Sequence, residues 1–110
     1  MEISNKTVND ALVVNIKGRI DTNYSSQFET EVQDLIKNSN KHLLFNFSEV
    51  DYISSSGLRA VLMFAKLQKN SNKKLVLFSL NDNIKEILNI SGFSSIIPMA
   101  KDETEAIGSL

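Results

Sequence analysis

The chain has 110 residues, near the modal size of one domain and short for two, with the 42% apolar and 23% charged content of a packed, soluble protein. Twelve basic residues against thirteen acidic leave a net charge of −1, so the basic excess of a dedicated nucleic-acid binder is missing. The absence of cysteine excludes disulfides, thiolate metal sites and thiol nucleophiles, and with a single histidine, His42, a zinc site would need carboxylates for nearly all its other ligands, so no zinc centre and no metal ligand is expected.

In chain order, Ile3 to Val8 is a weak strand and Asn9-Asp10 suits a tight turn. Leu12, Val14 and Ile16 then alternate with Val13, Asn15 and Lys17, the period of a half-buried strand that Gly18 is expected to end. From about Tyr24 to Asn38, the apolar stripe Phe28, Val32, Leu35, Ile36 predicts a helix, with Asn23 or Ser25 as its cap. The run Leu43 to Phe47 predicts a central strand. A second helix is expected from near Ser56 to about Gln68, with Leu58, Val61, Leu62 and Ala65 facing inward and Met63 and Phe64 flanking that stripe. Leu75 to Phe78 reads as another central strand. Ile84, Ile87 and Leu88 mark a short third helix stopped by Gly92. Ser95 to Met99 is expected to form a last strand, weakened by Pro98, and Asp102 with Glu105 a capping box for a final helix.

The order β-β-α-β-α-β-α-β-α predicts an α/β domain: a small mixed sheet with an N-terminal hairpin and about four helices mainly on one face. The Val13/Asn15/Lys17 positions imply that the other sheet face is partly wet. Met1 to Asp10 lacks the apolar core of a signal peptide. The longest mostly apolar stretch, Leu58 to Ala65, is eight residues long and contains Arg59, against roughly 20 for a membrane span. A cytoplasmic protein with no membrane segment is expected.

Asp51-Tyr52-Ile53-Ser54-Ser55-Ser56-Gly57-Leu58-Arg59 lies between the Leu43 strand and the second helix. Its three hydroxyls sit beside the unpaired N–H groups of a helix start, where serines commonly do no more than cap. Gly57 lets the backbone turn closely and leaves Ser56 uncrowded. A phosphoryl group on Ser56 would meet the positive end of the helix dipole and add about 1.5 to 2 negative charges.

The run from His42 to Leu62, HLLFNFSEVDYISSSGLRAVL, resembles the signature of STAS domains, specifically bacterial anti-sigma factor antagonists. Gly18-Arg19-Ile20-Asp21 resembles the family's Gly-x-Leu/Ile-Asp turn, Leu75 to Gly92 its next strand and short helix, and Phe93 to Ile107 its closing strand and helix. The resemblance spans nearly the whole chain, 1–110, as one STAS domain. It implies a phospho-switch. The unphosphorylated antagonist binds an anti-sigma factor that is also a serine kinase, freeing the sigma factor; phosphorylation of the serine before the motif glycine, here Ser56, ends binding; a serine phosphatase restores it. It also implies a partner-binding surface of Asp21, Ser54, Ser55, Ser56, Gly57, Leu58 and Arg59. Many kinase-regulated members carry aspartate where this chain has Ser54.

Other classes find less support. A serine hydrolase needs a base and a nucleophile elbow, but His42 is the sole imidazole and Gly-x-Ser-x-Gly is missing. Neither phosphate-loop nor dinucleotide fingerprint is present, so no catalytic residue or cofactor is expected. A receiver domain would need an acidic pair after its first strand. The remaining alternative keeps the fold without the switch: a non-catalytic STAS adaptor subunit of a sensory or lipid-transport complex. Without the resemblance, Asp21 reads as a loop cap, Arg59 as a solvated arginine in a helix turn unfavourable to cations, and His42 as a rim residue.

Overall fold

A five-stranded sheet in the order β1-β2-β3-β4-β5 organises the computed structural model, which describes residues 1–110. Strands β1 (Glu2–Val8) and β2 (Ala11–Ile20) form the expected antiparallel hairpin, turned at Asn9 with φ +54°. Helix α1 (Ser25–Ser39) leads to β3 (His42–Ile53), α2 (Ser55–Asn70) to β4 (Leu75–Phe78), and α3 (Asp82–Ser91) to β5 (Met99–Ala100). β2, β3, β4 and β5 are parallel, each beside its predecessor. Each right-handed crossover moves one strand in the same direction, so α1, α2 and α3 fall on one face. A short α4 (Glu103–Gly108) follows β5 and packs on the other face.

The main core lies under the three crossover helices. Phe28 of α1, Phe45 of β3 and Phe64 of α2 meet edge to face, with centroids 5.4 to 6.1 Å apart. All three are fully buried. Such side chains contribute about 1.5–3 kcal/mol each by burial, and aromatic pairing about 0.5–1.5 kcal/mol more. The trio ties both long helices to the central strand. The second face is drier at one end than the other: Val13, Leu44, Val76 and Phe78 are buried against Ala100 and Ala106, whereas Asn15 and Asn46 pair side chain to side chain at 2.8 Å and Lys17 is exposed. The partly wet face expected from β2 is therefore real.

Several local expectations are corrected. β2 does not end at Gly18: it continues to Ile20, and Gly18 takes φ +105° at a register shift against β3. The extra residue at that shift is Asp51 of β3, and the glycine lies opposite this bulge. β3 continues past Phe47 to Ile53 to pair with that extension. The buried stripe of α2 is Gly57, Leu58, Ala60, Val61, Phe64 and Gln68, so Phe64 is core while Leu62 and Ala65 are only half-buried. Ile87 is likewise exposed on α3. Gln68 is buried because its amide nitrogen donates to the Lys41 and Lys74 carbonyls at 2.9 and 3.1 Å. His42 lies at the rim, where Nδ1 accepts from the Lys74 N–H at 3.0 Å. The last strand, expected over Ser95 to Met99, is confined to Met99–Ala100 beside β4; Ser95 instead closes a short 3-10 turn at Phe93–Ser95, and 96–98 are irregular. Gly92 caps α3 at φ +83°, as expected. Asp102 caps α4 through the Glu105 N–H at 2.9 Å, while the Glu105 carboxylate reaches back to the Lys101 N–H, one residue earlier than in a standard capping box. No helix is long and apolar enough to cross a membrane.

Candidate functional site

The parallel pair β2–β3 brings the two motif segments to one end of the sheet. Ile20 is registered against Ile53, and the Ser54 N–H donates to the Ile20 carbonyl at 2.8 Å. Asp21 and the start of α2 therefore leave adjacent strand ends.

The start of α2 is locked from inside. Ser54 is its N-cap: Oγ accepts from the Gly57 N–H at 3.1 Å and lies 3.0 Å from the Ser56 Oγ. Ser54 is only 5% exposed. Gly57 has an ordinary helical backbone, so its requirement is space and not a special turn. A Cβ there would sit 2.8 Å from the Ile20 Cγ2, 2.9 Å from the Ile53 Cγ1 and 3.2 Å from the Ile20 carbonyl oxygen. Removing that atom lets the helix start press onto both strand ends. Leu58, 8% exposed, completes the buried side.

The other side faces out. Ser55 and Arg59 are exposed, and Ser56 is half-buried, its hydroxyl 3.0 Å from that of Ser54. The first N–H groups of a helix have no intrahelical partner; in α2 that of Gly57 is taken by Ser54, and the positive end of the helix dipole lies beside Ser56. Arg59 makes no intramolecular ion pair.

Asp21 holds its own loop. Its Oδ1 accepts from the N–H groups of Asn23 and Tyr24 at 3.0 and 3.2 Å. The N-cap of α1 is Tyr24, with no side-chain cap, which corrects the expectation of Asn23 or Ser25. Asp21 stays half-buried and shares its sheet end with Ser56.

Of the residues singled out in the sequence, Asp21, Ser55, Ser56 and Arg59 contribute surface at this end, while Ser54, Gly57 and Leu58 support it from below. Two neighbours were missed. The Arg19 guanidinium stacks 4.4 Å from the centroid of the exposed Tyr52 ring, and the two are registered partners one step before Ile20 and Ile53. Each lies inside one of the two motif segments, Gly18 to Asp21 and Asp51 to Arg59, and that place is the signal that could have found them.

The STAS domain family model matches residues 2–106. The chain belongs to that family. BtrV of Bordetella bronchiseptica, a candidate anti-sigma factor antagonist, is 30% identical over 106 residues, covering 96% of this chain and 91% of BtrV. The anti-sigma F factor antagonist of Paenibacillus polymyxa is 23% identical over 100 residues, covering 90% of this chain and 86% of that protein. Among solved structures, a candidate anti-sigma factor antagonist from Thermotoga maritima superposes with a TM-score of 0.91 at 22% identity, covering 97% of this STAS chain and 92% of the other. The likeness of this STAS domain thus runs to anti-sigma factor antagonists in sequence, and to the same fold in structure.

Proposed function

We propose that this STAS protein is a cytoplasmic, non-catalytic anti-sigma factor antagonist working as a phospho-switch. Unphosphorylated, it binds an anti-sigma factor that is also a serine kinase and so frees the sigma factor for transcription. Phosphorylation of Ser56 ends that binding, and a serine phosphatase restores it. One observation carries the reading: the half-buried Ser56 hydroxyl stands at the start of α2, on the sheet end that also holds Asp21. The names of the sequence relatives support the class of partner.

The physical basis of the switch is local charge. A phosphoserine adds about 1.5 to 2 negative charges to a chain whose net charge is −1. Beside a helix N-terminus that charge is favourable by about 0.3–1 kcal/mol, so the free domain tolerates it. Pressed unpaired into an interface, the same dianion costs several kcal/mol of desolvation. The partner surface comprises Asp21, Ser55, Ser56 and Arg59, with Ser54, Gly57 and Leu58 setting its shape.

Affinity capture from native lysate, with the wild-type chain and with Ser56→Glu, tests this reading. Recovery of a small ATP-binding serine kinase by the wild type alone is expected, and that kinase with ATP should place one phosphate on Ser56. Phosphate mapped by mass spectrometry to Ser54 or Ser55 would overturn the site. Equal capture of the same partners by both forms would favour a STAS adaptor subunit without a switch.

A further inference from the structure

We infer that Ser54 is a positioning residue for phosphorylated Ser56: its buried hydroxyl donates a hydrogen bond to the phosphoserine and favours the dianion. The inference rests on Ser56 as the modified residue and goes beyond it to a second side chain. Two distances carry it. The Ser54 Oγ lies 3.1 Å from the Gly57 nitrogen, whose N–H it accepts, and 3.0 Å from the Ser56 Oγ. In the free hydroxyl pair either oxygen can be the donor. Phosphorylation removes that choice. Transfer joins the Ser56 Oγ to the γ-phosphorus of ATP, breaks the bond from that phosphorus to the β–γ bridging oxygen, and sends the Ser56 hydroxyl proton to a base of the kinase. ADP carries the bridging oxygen away. A dianionic phosphoserine then has acceptors only.

The hydrogen bond can persist in one direction alone, from the Ser54 O–H to the phosphoserine. Because Ser54 also accepts from Gly57, its hydroxyl is then used as both acceptor and donor. It is 5% exposed, so water is a poor competitor for that proton. A hydrogen bond to the charged form of an acid lowers its pKa, and one to a charged group is stronger than a neutral one. Aspartate at 54 could cap the helix equally well, being an N-cap residue of similar rank. It would have no proton to give, and its carboxylate would lie beside the incoming dianion.

The test needs no kinase. Phosphoserine is installed genetically at position 56 in the wild type, Ser54→Thr and Ser54→Asp, and the phosphate is titrated by phosphorus NMR. Free phosphoserine loses its second proton near pH 6. The wild type and Ser54→Thr, which keeps both hydroxyl and cap, should titrate alike. Ser54→Asp should titrate about one pH unit higher, while its unphosphorylated form melts with the wild type. The charged groups at this end of the sheet, Arg19, Asp21, Asp51, Arg59 and Asp82, are common to all three and do not explain a difference. Equal titration of all three proteins would overturn the role of Ser54. Because the phosphate is placed without an enzyme, that result would leave the identity of the cellular phosphorylation site to its own mass-spectrometric test.

Discussion

Helices α1 and α2 start at the same end of the sheet, after neighbouring parallel strands, yet their starts are built in opposite ways. α1 begins at Tyr24 with no side-chain cap, and its approach is held by Asp21 through bonds within an exposed loop. α2 begins at a buried serine cap, with a glycine pressed onto two isoleucines and a backbone bond back to β2. One start is held by local polar bonds that water can replace, the other by packing that water cannot enter. The difference teaches where a bulky anion can be added: on the outer side of a start whose inner side is already fixed. α1 supplies adaptable surface beside it.

Substitutions at the two starts should therefore differ in size. Gly57→Ala forces a methyl group against buried Ile20 and Ile53, and overpacking typically costs about 1–3 kcal/mol. The helix-propensity gain of up to about 1 kcal/mol offsets only part of that, so denaturant melts should show a net loss of up to about 2 kcal/mol. A wild-type midpoint would mean that the contact is loose. Ser54→Ala removes a buried cap and should cost about 1 kcal/mol in the same melts, whereas a neutral result would put α2 on a par with α1. Asp21→Ala breaks two exposed bonds and should cost no more than about 0.5 kcal/mol, with affinity for the anti-sigma partner falling about tenfold. A stability loss as large as that of Gly57→Ala would erase the contrast between the starts. Smallest of all is the effect of phosphate on Ser56. The helix dipole should leave the domain no less stable, by at most about 1 kcal/mol in its favour, with amide spectra unchanged outside residues 54–62. Widespread spectral change would indicate a conformational switch instead.

The sequence carried this architecture because most of its periodicities are simple. Leu43 to Phe47 is apolar but for Asn46 and too short for a buried helix, and Phe28 to Ile36 holds a single helical stripe, so length and period together separate strand from helix. Ser48 to Ile53 was illegible as strand: its buried residues are Val50 and Ile53, three apart, because β3 itself carries an extra residue at each of two register shifts against β2. No period-2 test finds that. The inward face of α2 was misplaced by one position because Gly57 has no side chain to mark it, and the helix rotates to bury that bare side. At the site, the motif pointed to Ser56 and Asp21, and the strand register brought them together. The Ser54–Ser56 contact and the Arg19–Tyr52 stack depend on side-chain directions at the helix start and across two strands, which spacing alone does not reveal.

One binding measurement tests the phospho-switch most directly. The anti-sigma factor kinase recovered by the wild-type chain is titrated calorimetrically with the unphosphorylated protein and with the same protein phosphorylated on Ser56. A penalty of about 3 kcal/mol for seating the dianion in the interface weakens binding roughly a hundredfold. That drop, with the phosphorylated domain melting where the free one does, is the predicted result. Equal affinity of the two forms would contradict it.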